Sequence, residues 1–223
     1  RFDISVVTGD FLTPLSAWYA RKMGLPIDNI VCCCNENHPL WDLICQGQIR
    51  TDSLSVLTSI PEANVTLPME LERLIYDCKG SGEVLRYLEI CNRGALYIPD
   101  AHLLNKLQKS LSVSVVSSQR VKDTIRDIWR THGYMLTQTS SLAYAGAMDF
   151  RVKNGVTRPV VILSDYDAMQ DAKEIAEVLN ISIYNSGLLR EETFNMFYIS
   201  PYFISTLPVF DIIQQQVPFI IFL

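Results

Sequence analysis

The sequence has little charge, three histidines and no CxxC pair, and each shortage narrows what it can be. Charged residues make up 19% of the 223 positions and the formal net charge is -5. No run of Lys and Arg offsets that balance, which argues against a general affinity for nucleic acid or an anionic membrane. His38, His102 and His132 are scattered, and no HxxH or carboxylate cluster gives metal spacing. No GxGxxG or P-loop pattern marks a nucleotide site. No Ser/His/Asp nucleophile arrangement is visible from spacing, and there are no internal repeats. An initiating Met and a signal peptide are both missing: Arg1-Phe2-Asp3 leads straight into a strand-like run. A chain that starts inside a strand reads as a fragment or a processed product.

What the sequence has is apolar mass. At 48% hydrophobic it can build a sizeable core, and the composition argues against disorder. Six cysteines are present, and Cys32-Cys33-Cys34 are consecutive within the apolar run Ile30 to Cys34. Neighbours on a strand face opposite ways, so three in a row cannot share one metal without distortion. They read as buried thiols in a reducing cytosol.

Along the chain, strand and helix signals alternate. Ile4 to Val7 is a strand ending at Thr8-Gly9, Pro14 to Met23 a helix stopped by Gly24 and Pro26, and Ile30 to Cys34 a second strand. This order is a βαβ unit and implies a parallel sheet. Helices are expected over His38 to Cys45, over Leu67 to Cys78, over Glu83 to Ile90 after a Gly80-Ser81-Gly82 breaker, and from Pro99 with Leu103, Leu104 and Leu107 inward. Val113 to Val116 reads as a strand. Ser117 or Ser118 caps a helix from Gln119 to Thr131 that Gly133 ends. A small-residue helix, Ser140 to Val152, precedes a strand from Pro159 to Ser164 and a helix from Ala168 to Leu179 with Ile175, Val178 and Leu179 inward. The expected class is therefore α/β, a three-layer parallel sheet with flanking helices. Residues 1–187 form the body. Residues 188–223 form an apolar tail in which Pro201, Pro208 and Pro218 oppose a membrane-spanning helix.

The sharpest local feature is Val7-Thr8-Gly9-Asp10-Phe11, between a strand and a helix. A Gly turn there presents backbone N–H groups and the positive end of the helix dipole, which suits a phosphate. By itself a Gly after a strand is usually only a turn.

The surrounding segments carry more. Val6 to Leu25 is similar to the threonine synthase loop V-P-S-G-N-F-G-[DN], whose helix ends K-K-M-G-L-P-I. Here the ending is Arg21-Lys22-Met23-Gly24-Leu25-Pro26-Ile27. Cys34-Asn35-Glu36-Asn37-His38 resembles the family's T-N-E-N-D, and Leu71-Glu72-Arg73-Leu74-Ile75 its [FL]-E-R-L-[LI]. Gly94-Ala95-Leu96-Tyr97-Ile98-Pro99, Ser112-Val113-Ser114 with Asp123-Thr124-Ile125, His132-Gly133-Tyr134-Met135-Leu136 and Val160 to Ser164 resemble further family segments, in family order, over roughly residues 4 to 180.

The resemblance implies part of the fold type II architecture of enzymes that use pyridoxal phosphate. It implies a cytoplasmic protein of threonine biosynthesis. The family reaction converts O-phospho-L-homoserine and water to threonine and phosphate, so an amino-acid phosphate is the implied partner, with no nucleic acid and no membrane. Gly9, Asp10, Phe11 and Thr13 stand at the cofactor-phosphate loop, and Ser164 where a hydroxyl meets the pyridine nitrogen. Several positions depart from the family. Asp10 replaces Asn, Leu12 replaces the second Gly, and Tyr166 and Met169 replace the His and Lys of S-T-A-H-P-A-K-F. Thr137-Gln138-Thr139-Ser140-Ser141-Leu142-Ala143 replaces D-P-H-T-A-V-G and keeps a hydroxyl at Ser140. The Schiff-base lysine of an F-K-D motif has no counterpart, because no lysine here follows Phe. Lys122 of Val121-Lys122-Asp123 reads as a solvated helix residue, so no catalytic residue is assigned. A parallel sheet cut at its middle also exposes edges, so the tail covers one of them or the chain self-associates.

Overall fold

The computed structural model describes residues 1–9, 11–163 and 172–181, and the backbone of 220–222. Strands β1 (Phe2–Val7) and β2 (Ile27–Cys34) pair in parallel, with Ile4 opposite Ile30 and Val7 opposite Cys33. The crossover between them is α1 (Leu12–Lys22). Its last turn holds Arg21 and Lys22, where cations complement the helix dipole. Strand β5 (Ser112–Val115) adds in parallel to β2, and β6 (Val160–Leu163) adds in parallel to β1.

Between β2 and β5 lie α2 (Pro39–Trp41), a π-helical turn (Asp42–Gln46), β3 (Ile49–Arg50), a 3-10 turn (Pro61–Ala63), α3 (Leu71–Lys79), α4 (Ser81–Asn92), β4 (Leu96–Tyr97) and α5 (Ala101–Ser110). After β5 come α6 (Ser118–His132), α7 (Gln138–Asn154), β6 and α8 (Ala172–Leu179). Residues 220–222 form β7 (Ile220–Phe222), which pairs antiparallel with β6, so the sheet order is β5-β2-β1-β6-β7. The sheet is thus parallel through four strands and antiparallel at one edge. The rest of the expected tail, 188–219 and 223, lies outside the described residues.

The three-layer expectation rests on alternation. Ile4, Val6, Ile30, Cys32 and Cys34 pack into one core with Leu15, Trp18, Leu71, Leu74, Leu103 and Leu107. Val31 and Cys33 point the other way, toward Val121, Ile125, Leu142, Ala145 and Ile175. Both faces of β2 are therefore covered, which is why it reads as an unbroken apolar run. Cys32, Cys33 and Cys34 are all buried free thiols, as the sequence reading expected.

Close packing of α7 explains its small residues. Ser5 Oγ donates to the Ala143 carbonyl at 2.7 Å, and Gly146 lies directly over Cys33. A Cβ at position 146 would not fit against Cys33.

Several boundaries differ from expectation. Helix α3 starts at Leu71 rather than Leu67, since Pro68 interrupts the turn and Met69 stays exposed. Only Gly80 breaks the chain, with φ 87; Ser81 and Gly82 already belong to α4. Asp100, not Pro99, starts α5, its carboxylate accepting from the Leu103 N–H at 2.8 Å. The His38 to Cys45 helix is one turn of α2 followed by the π turn, ended by Gly47 at φ 74. Ser117 is the cap of α6, and α7 begins two residues early, capped by Thr137. Of the expected inner face of α8, Ile175 is fully buried and Val178 and Leu179 partly so; its expected start at Ala168 lies outside the described residues.

Among the described residues no helix is long and apolar enough to cross a membrane, and no three His, Cys, Asp or Glu side chains gather as a metal site.

Candidate functional site

The sheet order reverses at β1: β2 lies on one side and β6 on the other. In open α/β sheets such a reversal leaves a crevice beyond the carboxyl ends of the two strands, where ligands bind. The residues leaving β1 at that edge are Thr8 and Gly9, and the position following Leu163 on β6 is Ser164. The fold thus sets the carboxyl end of β6, at Leu163, beside the carboxyl end of β1. Asp10 and Ser164 themselves lie outside the described residues.

The loop is built on left-handed backbone. Gly9 has φ 44, and a Cβ there would stand 3.4 Å from the Glu62 carbonyl oxygen of the 3-10 turn behind it. Phe11 has φ 77, the N-cap position of α1, and its ring is fully buried. A left-handed non-Gly residue costs roughly 1–2 kcal/mol. Burying the phenyl ring returns about 1.5–3 kcal/mol, which holds the strained turn in place.

Leu12, standing where the family has its second Gly, opens α1 with ordinary helical backbone and a half-exposed side chain. The conformational demand falls on Phe11, so the Cβ of Leu12 does not spoil the turn.

Donors at the loop are few. Phe11 N–H is spent on the Thr8 carbonyl (2.8 Å), Leu15 N–H on the Phe11 carbonyl (3.1 Å), and Pro14 has none. The Thr13 N–H, in the first turn, has no acceptor among the described residues, and the Thr13 side chain is exposed beside it. The Thr8 hydroxyl is turned away: it donates to the Cys33 carbonyl at 3.1 Å and lies 3.1 Å from Cys34 Sγ.

The Asn35-Glu36-Asn37 turn at the end of β2 is structural. Asn37 N–H donates to Asn35 Oδ1 (2.8 Å), the Val56 N–H donates to Asn37 Oδ1 (2.7 Å), and Asn37 Nδ2 donates back to the Val56 carbonyl (2.8 Å). Asn35 Nδ2 reaches Thr58 Oγ1 at 2.9 Å. These bonds pin the 51–60 loop to the strand end. Glu36 Oε1 accepts from the Ser118 N–H at 2.7 Å, tying the turn to α6. Burial opposes its charge, but the Ser118 hydrogen bonds outweigh that and hold its carboxyl below the usual range.

His38 lines a hollow of about 480 Å³, with Glu36, Ser117, Arg120 and Asp149 also in its wall. Its ring packs edge-on to Trp41, and Nδ1 lies 3.4 Å from Asp42. Ser140 is buried, with its N–H and its hydroxyl both engaged by Thr137 Oγ1 (2.9 Å each); Gln138 Oε1 and Ser141 Oγ beside it are buried without partners. Lys122 sits on α6 and is partly buried.

The sequence reading missed the Thr8–Cys34 contact and the Asn37–Val56 clasp. The adjacency of Thr8 to the strand end was visible, but nothing in a lone chain says which β2 residue lies beside it.

No protein-family model matches the chain. It is 28% identical to human threonine synthase-like 1 over 190 residues, covering 82% of this chain and 25% of that protein. It is 25% identical to Pseudomonas aeruginosa threonine synthase over 162 residues, covering 71% of the chain and 34% of the enzyme. The chain therefore spans about a quarter to a third of the curated relatives it matches. Among solved structures, PLP-bound threonine synthase from Brucella melitensis superposes with a TM-score of 0.75 at 20% identity, over 81% of this chain and 39% of that one. Yeast threonine synthase gives 0.74 at 21%, over 87% and 42%. Those likenesses establish the fold, a parallel sheet flanked by helices as in the fold type II enzymes. Together with the ordered sequence matches, these likenesses support a divergent member of the threonine synthase family, similar to part of its longer relatives.

Proposed function

We propose that this chain is the cofactor-phosphate-binding part of a threonine synthase-like protein, and that it forms no covalent link to the cofactor by its own residues. The observation that carries the reading is the left-handed Gly9–Phe11 turn at the β1 strand end, next to the start of α1 and the carboxyl end of β6. That turn fits a phosphate: Gly9 supplies backbone that a Cβ would strain, Thr13 supplies an N–H and a hydroxyl, and the helix dipole supplies positive potential. Asp10 opposes it with like charge. By the family resemblance, Ser164 would supply the hydroxyl that faces the pyridine nitrogen.

Pyridoxal phosphate, when bound, supplies an electron sink for carbanions next to an amino-acid carbon. This chain's residues would hold its phosphate and seat its ring edge. They hold no proton-transferring lysine at the loop. Among the lysines described, Lys22 pairs with Asp77 at the far end of α1, Lys79 with Asp100, and Lys106 with the Cys78 carbonyl. The family reaction, O-phospho-L-homoserine and water to threonine and phosphate, belongs in this reading to the longer protein.

The test is incubation of the chain with pyridoxal phosphate, then borohydride reduction and mass spectrometry. The expected result is reversible binding lost in Gly9→Ala, with no stoichiometric lysine adduct. A single lysine modified in full would refute the second half, and absence of any binding the first.

A second reading, a degenerate module that keeps the fold without the chemistry, is favoured by Asp10 and by the Tyr166 and Met169 replacements. Restoring the family's upstream lysine region and testing growth of a threonine auxotroph separates the two: growth sinks the module.

A further inference from the structure

We propose that Cys34 is a positioning residue for the phosphate loop, acting through Thr8; this rests on the reading of that loop as an anion cradle. The argument is a proton inventory. Thr8 has one hydroxyl hydrogen, and its geometry commits that hydrogen to the Cys33 carbonyl at 3.1 Å. The same carbonyl accepts the Thr8 N–H at 2.9 Å. The Thr8 oxygen is left as an acceptor, and Cys34 Sγ, 3.1 Å away, is the group in place to donate to it.

Both groups are buried, Cys34 almost completely. Burial pushes the Cys34 thiol up to about 12, partly offset by Thr8 and by the Trp41 backbone amide, so the donor keeps its proton at neutral pH. The chain Cys34 S–H to Thr8 hydroxyl to Cys33 carbonyl therefore latches the residue that follows β1 onto β2. It fixes the side chain of Thr8 away from the loop mouth. Gly9 follows directly, and the Phe11 N–H is anchored on the Thr8 carbonyl at 2.8 Å. The latch sets the direction in which the Gly9–Thr13 turn leaves the sheet. Binding in this chain then falls to backbone donors and Thr13, not to the Thr8 hydroxyl.

The experiment uses the full chain and pyridoxamine 5'-phosphate, which cannot bond covalently to lysine, followed by 31P NMR. Amide hydrogen exchange at Thr8 and Phe11 is measured alongside. Cys34→Ala and Thr8→Val are expected to weaken binding tenfold or more and to speed exchange at both amides. Cys34→Ser, which keeps a donor, is expected to recover most of both. Global unfolding is followed for each variant, so that loss of fold is separated from loss of direction. Equal binding by wild type and Cys34→Ala overturns the latch, as does a Cys34→Ser variant no better than Cys34→Ala. If the wild type binds nothing, the cradle reading fails by itself. The exchange rates then decide the latch: faster in Cys34→Ala and restored in Cys34→Ser supports it, and unchanged rates overturn it.

Discussion

Gly146 sits over Cys33 so closely that a Cβ on Gly146 would fall 2.3 Å from Cys33 Sγ and 3.1 Å from its Cβ. The helix and the strand meet here at a pair of positions where both side chains are small. Overpacking of this kind typically costs about 1–3 kcal/mol. Gly146→Ala should therefore lower the urea midpoint, despite the better helix propensity of Ala. Adding Cys33→Ala should recover most of the loss, giving a coupling energy measurable in a double-mutant cycle. Additive effects would mean the two residues do not touch.

Two glycines should respond in opposite directions. Gly9→Ala places a Cβ on left-handed backbone at φ 44, close to the Glu62 carbonyl, and should destabilise by about 1–2 kcal/mol. Gly82 lies inside α4 with open space around it. There Ala should stabilise by roughly 0.5–1 kcal/mol through lower unfolded-state entropy. Chemical denaturation of both variants checks the sign.

Alkaline pH should unfold the protein through its buried thiols. Burial pushes Cys33 and Cys34 up to about 12 from an ordinary value of 9.0. The folded chain holds those protons more tightly than the unfolded chain, so stability is full below about pH 9 and drains as pH rises toward 12. A rise of that size corresponds to on the order of 4 kcal/mol per thiol. Urea midpoints between pH 8 and 12 should fall less steeply for Cys34→Ser, which removes one titrating group; identical slopes would count against burial as the cause.

Asn37 should control the 51–60 loop. Its side chain meets both the N–H and the carbonyl of Val56, while Leu54 and Leu57 are 91% and 89% exposed. Asn37→Ala leaves those two backbone groups without partners, at a cost of about 1–3 kcal/mol. Chymotryptic cleavage near Leu54 and Leu57 should accelerate, while cleavage in α6 should not.

Much of the architecture was legible because the patterns are local. The unbroken apolar run of β2 announced a strand covered on both faces. Ser117 and Gly133 bounded α6, and the small residues of α7 announced close packing. The strand–Gly–helix order placed a loop at a strand end, and the segments around it carried the family likeness. Where the reading slipped, either a tertiary partner or an overlooked local breaker had decided. Ser81 and Gly82 join a helix because α3 and α4 pack together, and Met69 stays out of one because Pro68 precedes it.

The sequence by itself determined that Thr8 and Gly9 end a strand and open a helix, since a turn residue and a dipole are properties of adjacent positions. Only the tertiary structure decided that β1 lies between β2 and β6, which sets Thr8 against Cys34 and puts the loop beside the end of β6. It also decided that Phe11, not Leu12, bears the left-handed strain. The physical reason is that strand order and side-chain direction depend on which surfaces find each other in the core. That choice is made by residues far apart in the chain, such as Ser5 and Ala143, whose meeting no local pattern records.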